Sequence, residues 1–330
     1  MNNTLDFHWF ENPDEVLILL EQSISKGLAL KLKERYGYNK YILKAIRIKD
    51  IKFFYQLKEN KPIRIKTLKK ILNSLNLNYV DSNLVKAIGG SKFVFNAKFP
   101  IDLNKKESAI LVAAFMSDGN NQSNHPFYAN TDFLGDKILK TVQTFFPNIP
   151  WEIRNEKLRF HSILSRLLLK LEVPIGDKVL LNHEIPEFIY KNQSYKKEYL
   201  IQVFDDEGHA PTKISRKIVL GRSVALKNLS KKFISTLIYR EKVYFNSLLV
   251  DIKELINNQP PNLLKGEYKL LKEFGIRSSM RCRGITKYLD RVSADWVIEI
   301  AGKENIDKFN KRIGFSHPDK VKQINSYLGS

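Results

Sequence analysis

The chain has 330 residues, 43% of them hydrophobic, which is enough for two domains or for one large domain with an appendage. Lysine and arginine number 55 against 35 aspartates and glutamates, so the formal net charge is +20. An excess of this size repels itself unless a polyanion offsets it, and nucleic acid is the usual partner. A general solubility bias, or adaptation to a hot or salty habitat, is the alternative explanation.

A membrane-bound or secreted protein is disfavoured. No apolar run approaches the roughly 20 residues that a spanning helix needs. The segment Met1 to Phe10 also lacks the basic start and apolar stretch of a signal peptide. Cys282 is the single cysteine, which excludes an intramolecular disulfide and a zinc site built from cysteines. We therefore expect a cytoplasmic protein with no membrane partner.

Residues 1–95 are predicted to form a small all-α domain. An apolar run indicates a helix over Glu15–Gln22, and Ser25 is predicted to cap the next helix. Apolar residues on one face predict a last helix over Ile65–Leu75. Short helices separated by lysine and arginine over residues 27–77 resemble a helix-turn-helix module, whose second helix lies in the major groove. A helical cap with a solvated basic face is the alternative.

From residue 96 onward the sequence shows an approximate internal repeat, with copies at residues 96–195 and 196–330. Each copy begins with an apolar helix that ends in an acidic residue and a glycine, and continues through basic strands. The two helices are predicted over Glu107–Asp118 and Lys196–Glu207. Alternating apolar and basic residues predict a hairpin after the first helix, with its turn at Asn155-Glu156. Strands of similar character are predicted within 213–227 and 279–300.

The two acid–glycine helices carry the predicted chemistry. Each ends in a carboxylate followed by a glycine of the C-capping kind, and small residues such as Ala113 and Ala114 would allow close helix packing. If the helices pack side by side, Asp118 and Glu207 meet at one end. Adjacent carboxylates at helix C-termini are stable as anions only around a cation. Oxygen ligands alone select a hard ion, Mg²⁺ or Mn²⁺. The candidate metal-site residues are Asp118, Glu207, Gly119 and Gly208.

The same two segments resemble the paired signatures of LAGLIDADG homing endonucleases of the single-chain, two-repeat type. The first copy runs Leu111–Gly119, with Met116 and Ser117 where the signature has Asp-Ala. The second runs Leu200–Gly208, and the final acid and glycine stand in both. Further segments resemble the family in order and spacing, so that the resemblance covers about residues 98–328; these segments are 167–178, 185–189, 270–276, 302–305 and 313–318.

The resemblance implies two αββαββα units related by a pseudo-two-fold axis within a monomer, which form a saddle over the major groove of double-stranded DNA. The acids would cut both strands across the minor groove and leave 3′ overhangs. Asp118, Glu207 and Lys178 are the candidate catalytic residues, Lys178 being placed where the family often has a functional lysine. The neighbouring Asp206 could exchange roles with Glu207. Basic residues on the predicted strands are the candidate DNA contacts: Arg154, Lys157, Arg159, His161, Lys213, Arg216, Lys217, Arg222, Arg281 and Arg283.

Two alternatives of other classes stay open. The first is a transcription regulator that keeps the scaffold for DNA binding without cleavage. The second is an RNA intron maturase. Retention of both Asp118 and Glu207 favours the endonuclease, because a pure binding protein has no need for clustered carboxylates that repel phosphate. The segment ends in Leu328-Gly329-Ser330 and begins with Met1, which we interpret as a free-standing or intron-encoded protein rather than an intein.

Overall fold

The computed structural model describes residues 5–78, 85–90, 92–288 and 291–329, and these form a mixed α+β structure. Within these ranges, no helix combines the length and the apolar character needed to cross a membrane. The strands are β1 (Asp6–Phe7), β2 (Leu17–Leu20), β3 (Ile63–Arg64), β4 (Val85–Gly89), β5 (Phe93–Phe95), β6 (Ile101–Asp102), β7 (Gly119–Asn120), β8 (Phe127–Tyr128), β9 (Trp151–Arg154), β10 (Lys157–Phe160), β11 (Gly208–His209), β12 (Lys217–Ala225), β13 (Lys242–Tyr244), β14 (Ser279–Tyr288) and β15 (Arg291–Ala301).

Helices lie between groups of these strands along the chain, and short 3₁₀ turns lie at Trp9–Glu11 and Phe245–Ser247. The α-helices are α1 (Gln22–Tyr36), α2 (Asn39–Ile46), α3 (Lys52–Lys58), α4 (Ile65–Ser74), α5 (Lys106–Met116), α6 (Phe133–Gln143), α7 (Ser162–Lys170), α8 (Lys178–Leu181), α9 (Glu187–Tyr190), α10 (Gln193–Glu207), α11 (Lys231–Thr236), α12 (Val250–Asn257), α13 (Asn262–Glu273), α14 (Lys303–Arg312) and α15 (Pro318–Leu328).

The chain separates by contacts into two compact units. The first comprises Met1–Ser108, Asn121–Thr131 and Gly135–Glu172. The second comprises Ala109–Asn120, Asp132–Leu134 and Val173–Ser330. The predicted boundaries at residues 95 and 195 were placed from the sequence repeat. The two compact units instead reflect which residues pack against each other.

The amino-terminal part of the first unit is not all helical, so that prediction is wrong. An antiparallel sheet of order β3-β2-β4-β5 stands beside helices α1 to α4. Its strand β2 takes up the apolar run predicted as a helix, because a short unbroken apolar run suits a buried strand equally well. Ser25 does not cap α1 but lies inside it, and its hydroxyl donates to the carbonyl oxygen of Leu57 at 2.8 Å. The helix predicted over Ile65–Leu75 is confirmed as α4.

The first unit also contains the predicted hairpin. Strands β9 and β10 pair from Lys157↔Arg154 to Phe160↔Trp151, and β8 pairs with the other edge of β10. Asn155 and Glu156 both have positive φ, 51° and 57°, as a two-residue hairpin turn requires. Strand β10 alternates half-buried and buried residues, with Leu158 and Phe160 in the core. The alternation in the sequence therefore predicted both the strands and their turn.

The second unit is organised around a five-stranded antiparallel sheet of order β11-β12-β15-β14-β13. Strand β12 pairs with β15 along its full length, from Lys217↔Ala301 to Ala225↔Ser293. The central strand β15 is largely buried, as expected for a strand with neighbours on both sides. Helices α10, α13 and α14 pack on this sheet.

A register shift interrupts the pairing of β14 with β15 between Cys282 and Gly284. Gly284 fits there because a Cβ atom would lie 2.3 Å from the carbonyl oxygen of Val243 on the edge strand β13. The buried Cys282 thiol donates to the carbonyl oxygen of Gly284 at 3.4 Å. Burial raises the pKa of this thiol to about 11, so the side chain behaves as a small apolar group.

Candidate functional site

Each acid–glycine segment leads from a helix into a short strand. Helix α10 ends at Glu207 and continues directly into β11, whereas α5 ends at Met116 and a turn at Ser117-Asp118 separates it from β7. Ala113 and Ala114 of α5 are fully buried. The two acids therefore lie where each segment leaves the core, which is a suitable place for a side chain that must contact solvent and ligand.

The two glycines are needed for space and not for a left-handed cap. Gly208 is extended, with φ −83° and ψ 145°. A Cβ atom at Gly208 would lie 2.5 Å from the carbonyl oxygen of Phe204, and one at Gly119 would lie 2.9 Å from that of Ala114. Gly208 is the C-cap residue of α10, as predicted, and its N–H donates to the Phe204 carbonyl oxygen, but it does so in an extended conformation. The need for glycine after each acid therefore has a steric reason.

The three consecutive acids at the end of α10 have different partners. Asp205 accepts from the backbone N–H groups of Ser316 at 2.9 Å and His317 at 3.1 Å, and also from the Ser316 hydroxyl. Asp206 accepts from the Gln202 amide at 2.9 Å. Glu207 accepts from Arg222 at 3.3 Å. Asp205 thus anchors the residues before α15, whereas Glu207 is the acid that contacts Arg222 of the sheet.

Arg222 of β12 lies at the centre of this site. Its Nη2 donates to Glu267 Oε1 of α13 at 2.7 Å and to the Ser117 hydroxyl at 3.1 Å. Its Nη1 donates to the Met116 carbonyl oxygen at 3.1 Å and to Glu207 Oε1 at 3.3 Å. Predicted as a DNA contact, Arg222 has a side chain only 7% exposed, and its guanidinium is committed to these internal partners. The ends of both acid-bearing segments therefore share one cation.

Lys178, the predicted catalytic lysine, contacts the end of the first segment. Its Nζ donates to the carbonyl oxygens of Gly119, at 2.7 Å, and of Ser117. Its pKa is lowered to about 8, first by burial and then by the charge of Arg222, while Glu207, Asp118 and Asp206 oppose the shift. Its amine therefore changes charge close to neutral pH.

Lys320 of α15 was not singled out in the sequence, and it makes the matching contacts at the end of the second segment. Its Nζ donates to the carbonyl oxygens of Phe204, at 3.0 Å, and of Asp205. Burial lowers its pKa, and the carboxylates of Asp205, Asp206, Asp118 and Glu207 act against that shift. The signal that could have found it is the tripeptide Asp-Lys-Val, which occurs at 177–179 and again at 319–321.

A cavity of about 410 Å³ adjoins Glu207, Lys178 and Arg222. Its wall also includes His183, whose Nε2 is buried without a hydrogen-bond partner, and Trp296, whose indole N–H is in the same condition. Burial lowers the pKa of His183, which favours its neutral form. The walls thus combine cationic groups with uncommitted polar atoms beside two carboxylates, Glu207 and Asp295, and the excess of cationic side chains suits an anionic ligand such as a phosphate.

The donor set was tested against the expected metal ion. Among the residues that the structure describes, no group of three or more histidine, cysteine, aspartate or glutamate side chains is placed to hold a metal. Mg²⁺ is commonly held by one or two carboxylates, with water and substrate phosphate completing its shell. Asp118 and Glu207 would supply that number of carboxylates. The Gly119 carbonyl already accepts from Lys178, so it would have to exchange that contact to serve as a ligand.

The remaining residues that were predicted to contact DNA differ in their solvent exposure. In the second unit Lys213, Arg216 and Arg283 are exposed. Lys217 and Arg281 share Glu299, at 3.1 and 2.8 Å. Their charge is therefore partly offset within the sheet.

In the first unit, Arg154 is exposed, and Lys157 lies over the Phe127 ring at 4.5 Å. The Arg159 Nε is buried without a hydrogen-bond partner. His161 caps α7 by accepting from the Ile163 N–H at 3.2 Å, and burial lowers its pKa. Its neutral form therefore suits the structural role of a helix cap.

No family model matches the chain, and no curated protein matches it.

Proposed function

We propose that the chain is a site-specific double-strand DNA endonuclease of the LAGLIDADG type that requires a divalent metal ion. The observation that carries the proposal is that one guanidinium, that of Arg222, contacts Glu207 and also the Met116 carbonyl and Ser117 hydroxyl that precede Asp118. One cation shared by the ends of both acid-bearing segments supports a single polar site. The paired saddle of sheets and the internal pseudo-symmetry are part of this proposal.

The partner proposed is double-stranded DNA. A net charge of +20 supports a polyanionic ligand, and strands in each of the two units carry an exposed arginine, Arg154 in the first and Arg283 in the second. Cationic side chains on exposed strands contact phosphates and base edges in such proteins. A phosphate entering the cavity beside Glu207 would meet Lys178 and Arg283 on its walls.

The proposed chemistry divides between the metal and the chain. Mg²⁺ or Mn²⁺ held by Asp118 and Glu207 would supply an activated water and stabilise the leaving oxygen. Lys178 Nζ, with a pKa of about 8, can hold a proton against a phosphate oxygen or release one near neutral pH. Lys320 Nζ is placed to do the same beside the second acid-bearing segment. Arg222, which donates to Glu207 at 3.3 Å, would orient that carboxylate.

The amino-terminal helices are proposed as an accessory DNA-binding element of the helix-turn-helix kind. Support comes from exposed aromatic and basic side chains on α2 and α3. Tyr38, Tyr41 and Tyr55 are exposed, and Lys40 lies over the Tyr41 ring at 5.0 Å. Aromatic and cationic groups together suit contact with nucleic acid.

A DNA-binding regulator without cleavage is the second candidate. The observation in its favour is the contact of Arg222 with Glu207, because an internal cation lets that carboxylate persist without a metal. The two functions are separated by incubating the full chain with a supercoiled plasmid that carries the uninterrupted insertion site. Linear product with Mg²⁺ and none with a chelator supports the endonuclease. A gel shift without cutting in either condition supports the regulator.

A further inference from the structure

The buried pair formed by Arg222 and Glu267 is not explained by surface DNA binding. The Glu267 side chain is 0% exposed and that of Arg222 is 7% exposed. Arg222 Nη2 and Nε both donate to Glu267 Oε1, at 2.7 and 3.2 Å, and the Tyr199 hydroxyl lies 3.4 Å from the same oxygen. A guanidinium held at two points by a buried carboxylate has a fixed orientation.

The buried charges of Arg222 and Glu267 compensate each other, and Glu207 contributes to that compensation. Burial raises the pKa of Glu267, and the attraction of Arg222 opposes this. Burial would lower the pKa of Arg222, but Glu267 and Glu207 together raise it. Replacing a buried ion pair by apolar side chains often leaves stability unchanged or improves it, so stability alone is a weak reason for such a pair. An apolar pair could not, however, present a cation to Glu207.

Arg222 also bridges the two acid-bearing segments. The guanidinium that contacts Glu207 donates to the Met116 carbonyl and the Ser117 hydroxyl, next to Asp118 in the sequence. The Glu207 side chain is 34% exposed, so the carboxylate has a solvent-facing side as well as an Arg222-facing side. One oxygen is thereby fixed by the protein, and the carboxylate can meet a ligand from the cavity.

We propose that Arg222 is a positioning residue and a built-in counter-cation for Glu207, and that Glu267 holds it in that place. The inference rests on the proposed function, since the divalent ion is the competitor of Arg222 for Glu207. It implies two separate effects. The charge of Arg222 would set how tightly the site binds a divalent ion, and the geometry of its guanidinium would set the rate at which the metal-bound site cleaves DNA.

Three variants separate charge from geometry. Arg222→Gln removes the competing cation, so Mn²⁺ affinity is expected to rise about tenfold, the effect of one nearby charge. Glu267→Gln leaves Arg222 with Glu207 as its remaining carboxylate, so Mn²⁺ affinity is expected to fall by a similar factor. Arg222→Lys keeps the charge but cannot bridge Glu267, Glu207 and Ser117 together. We expect its Mn²⁺ affinity to stay within about twofold and its single-turnover cleavage rate to fall at least about tenfold.

The measurement is a Mn²⁺ titration of the full-length chain by water-proton relaxation, together with single-turnover cleavage. The control is Glu273→Gln, the same chemical change on α13, in a residue that pairs with Lys196 of α10 at 2.7 Å; its Mn²⁺ affinity should not change. If a single variant fails to fold, Arg222→Gln combined with Glu267→Gln leaves no unpaired buried charge, and it should still bind Mn²⁺ more tightly than the wild type.

The outcomes separate this inference from the proposed function. Unchanged Mn²⁺ affinity in both Arg222→Gln and Glu267→Gln, or a shift of both in the same direction, overturns the counter-cation. A wild-type cleavage rate in Arg222→Lys overturns the positioning role. If the wild-type chain does not cut DNA, the proposed function fails, and the Mn²⁺ titrations still decide whether Arg222 competes for Glu207.

Discussion

Lys178 and Lys320 hold the ends of two different acid-bearing segments by the same kind of contact. Lys178 donates to the carbonyl oxygens of Ser117 and Gly119, and Lys320 donates to those of Phe204 and Asp205. Both lysines follow an aspartate and precede a valine in the sequence. Each acid-bearing segment thus has its own lysine ammonium group, and Asp118 and Glu207 interact electrostatically with both lysines.

The acids are expected to be needed for cutting and not for binding. Asp118→Asn and Glu207→Gln should each lower cleavage to background, while DNA affinity is kept or increased, because a negative charge near phosphate is removed. Gel-shift titration and plasmid cleavage measure the two properties. The matched control is Glu187→Gln, an exposed glutamate of α9, which should cut like the wild type. Normal cleavage by either acid variant would sink the assignment.

The two lysines are expected to affect the two DNA strands unequally. Lys178→Met and Lys320→Met each remove one ammonium group from one segment, so each should slow the cutting of one strand by about 10²-fold or more. Nicked circles should then accumulate from a supercoiled plasmid, with opposite strands nicked in the two variants. Strand-specific end labelling identifies the nicked strand. The exposed Lys191→Met serves as the control, and linear product formed without nicked intermediates would contradict the expectation.

The lowered pKa of Lys178 predicts a specific dependence of stability on pH. The unfolded chain has the ordinary lysine pKa of 10.5 and the folded chain about 8, so the unfolded state binds more protons between these values. The wild type should therefore gain stability relative to Lys178→Met as pH rises from 8 towards 10.5, by at most about 3 kcal/mol. Urea unfolding at pH 7 and pH 10 measures the difference. A constant difference would show that Lys178 ionises alike in both states.

The steric need for Gly208 can be tested against a glycine inside a helix. Gly208→Ala would bring a Cβ within 2.5 Å of the Phe204 carbonyl oxygen, so we expect a loss of about 1–3 kcal/mol in unfolding free energy. Cleavage should fall further than stability does, because the change moves Glu207. Gly27 lies within α1 with nothing within 4 Å of its Cβ position, so Gly27→Ala should stabilise by about 0.5–1 kcal/mol. Thermal melting and cleavage rates of both variants form the comparison.

The elements that the sequence predicted well are those whose signals are local. Alternation together with Asn155-Glu156 predicted the hairpin of β9 and β10, and long apolar patterns predicted α5 and α10 to within a few residues. Strand β2 was mistaken for a helix because five consecutive apolar residues carry no period that separates the two states. The sheet that pairs β2 with β4 depends on residues more than 60 positions apart.

The site itself was only partly predictable. Asp118, Glu207 and Lys178 were proposed as site residues because an acid–glycine pattern and a resemblance mark them, and that assignment stays a prediction. Arg222 was placed correctly on a strand, but its burial depends on Glu267, 45 residues later, and no local pattern joins the two. The roles of Asp205, Asp206 and Glu207 differ through contacts with Ser316, Gln202 and Arg222, which only the folded chain brings together.

The single cysteine has a practical consequence for spectroscopy. A thiol that is buried, hydrogen-bonded to Gly284 and shifted to a pKa of about 11 is almost wholly protonated at pH 7, and maleimide dyes react with the thiolate. Native protein should therefore take up less than about 0.1 dye per chain in an hour, whereas Ile214→Cys, at a position 97% exposed, should take up about one. A fluorophore could then be placed at residue 214 without first removing Cys282, and the approach of DNA followed by energy transfer.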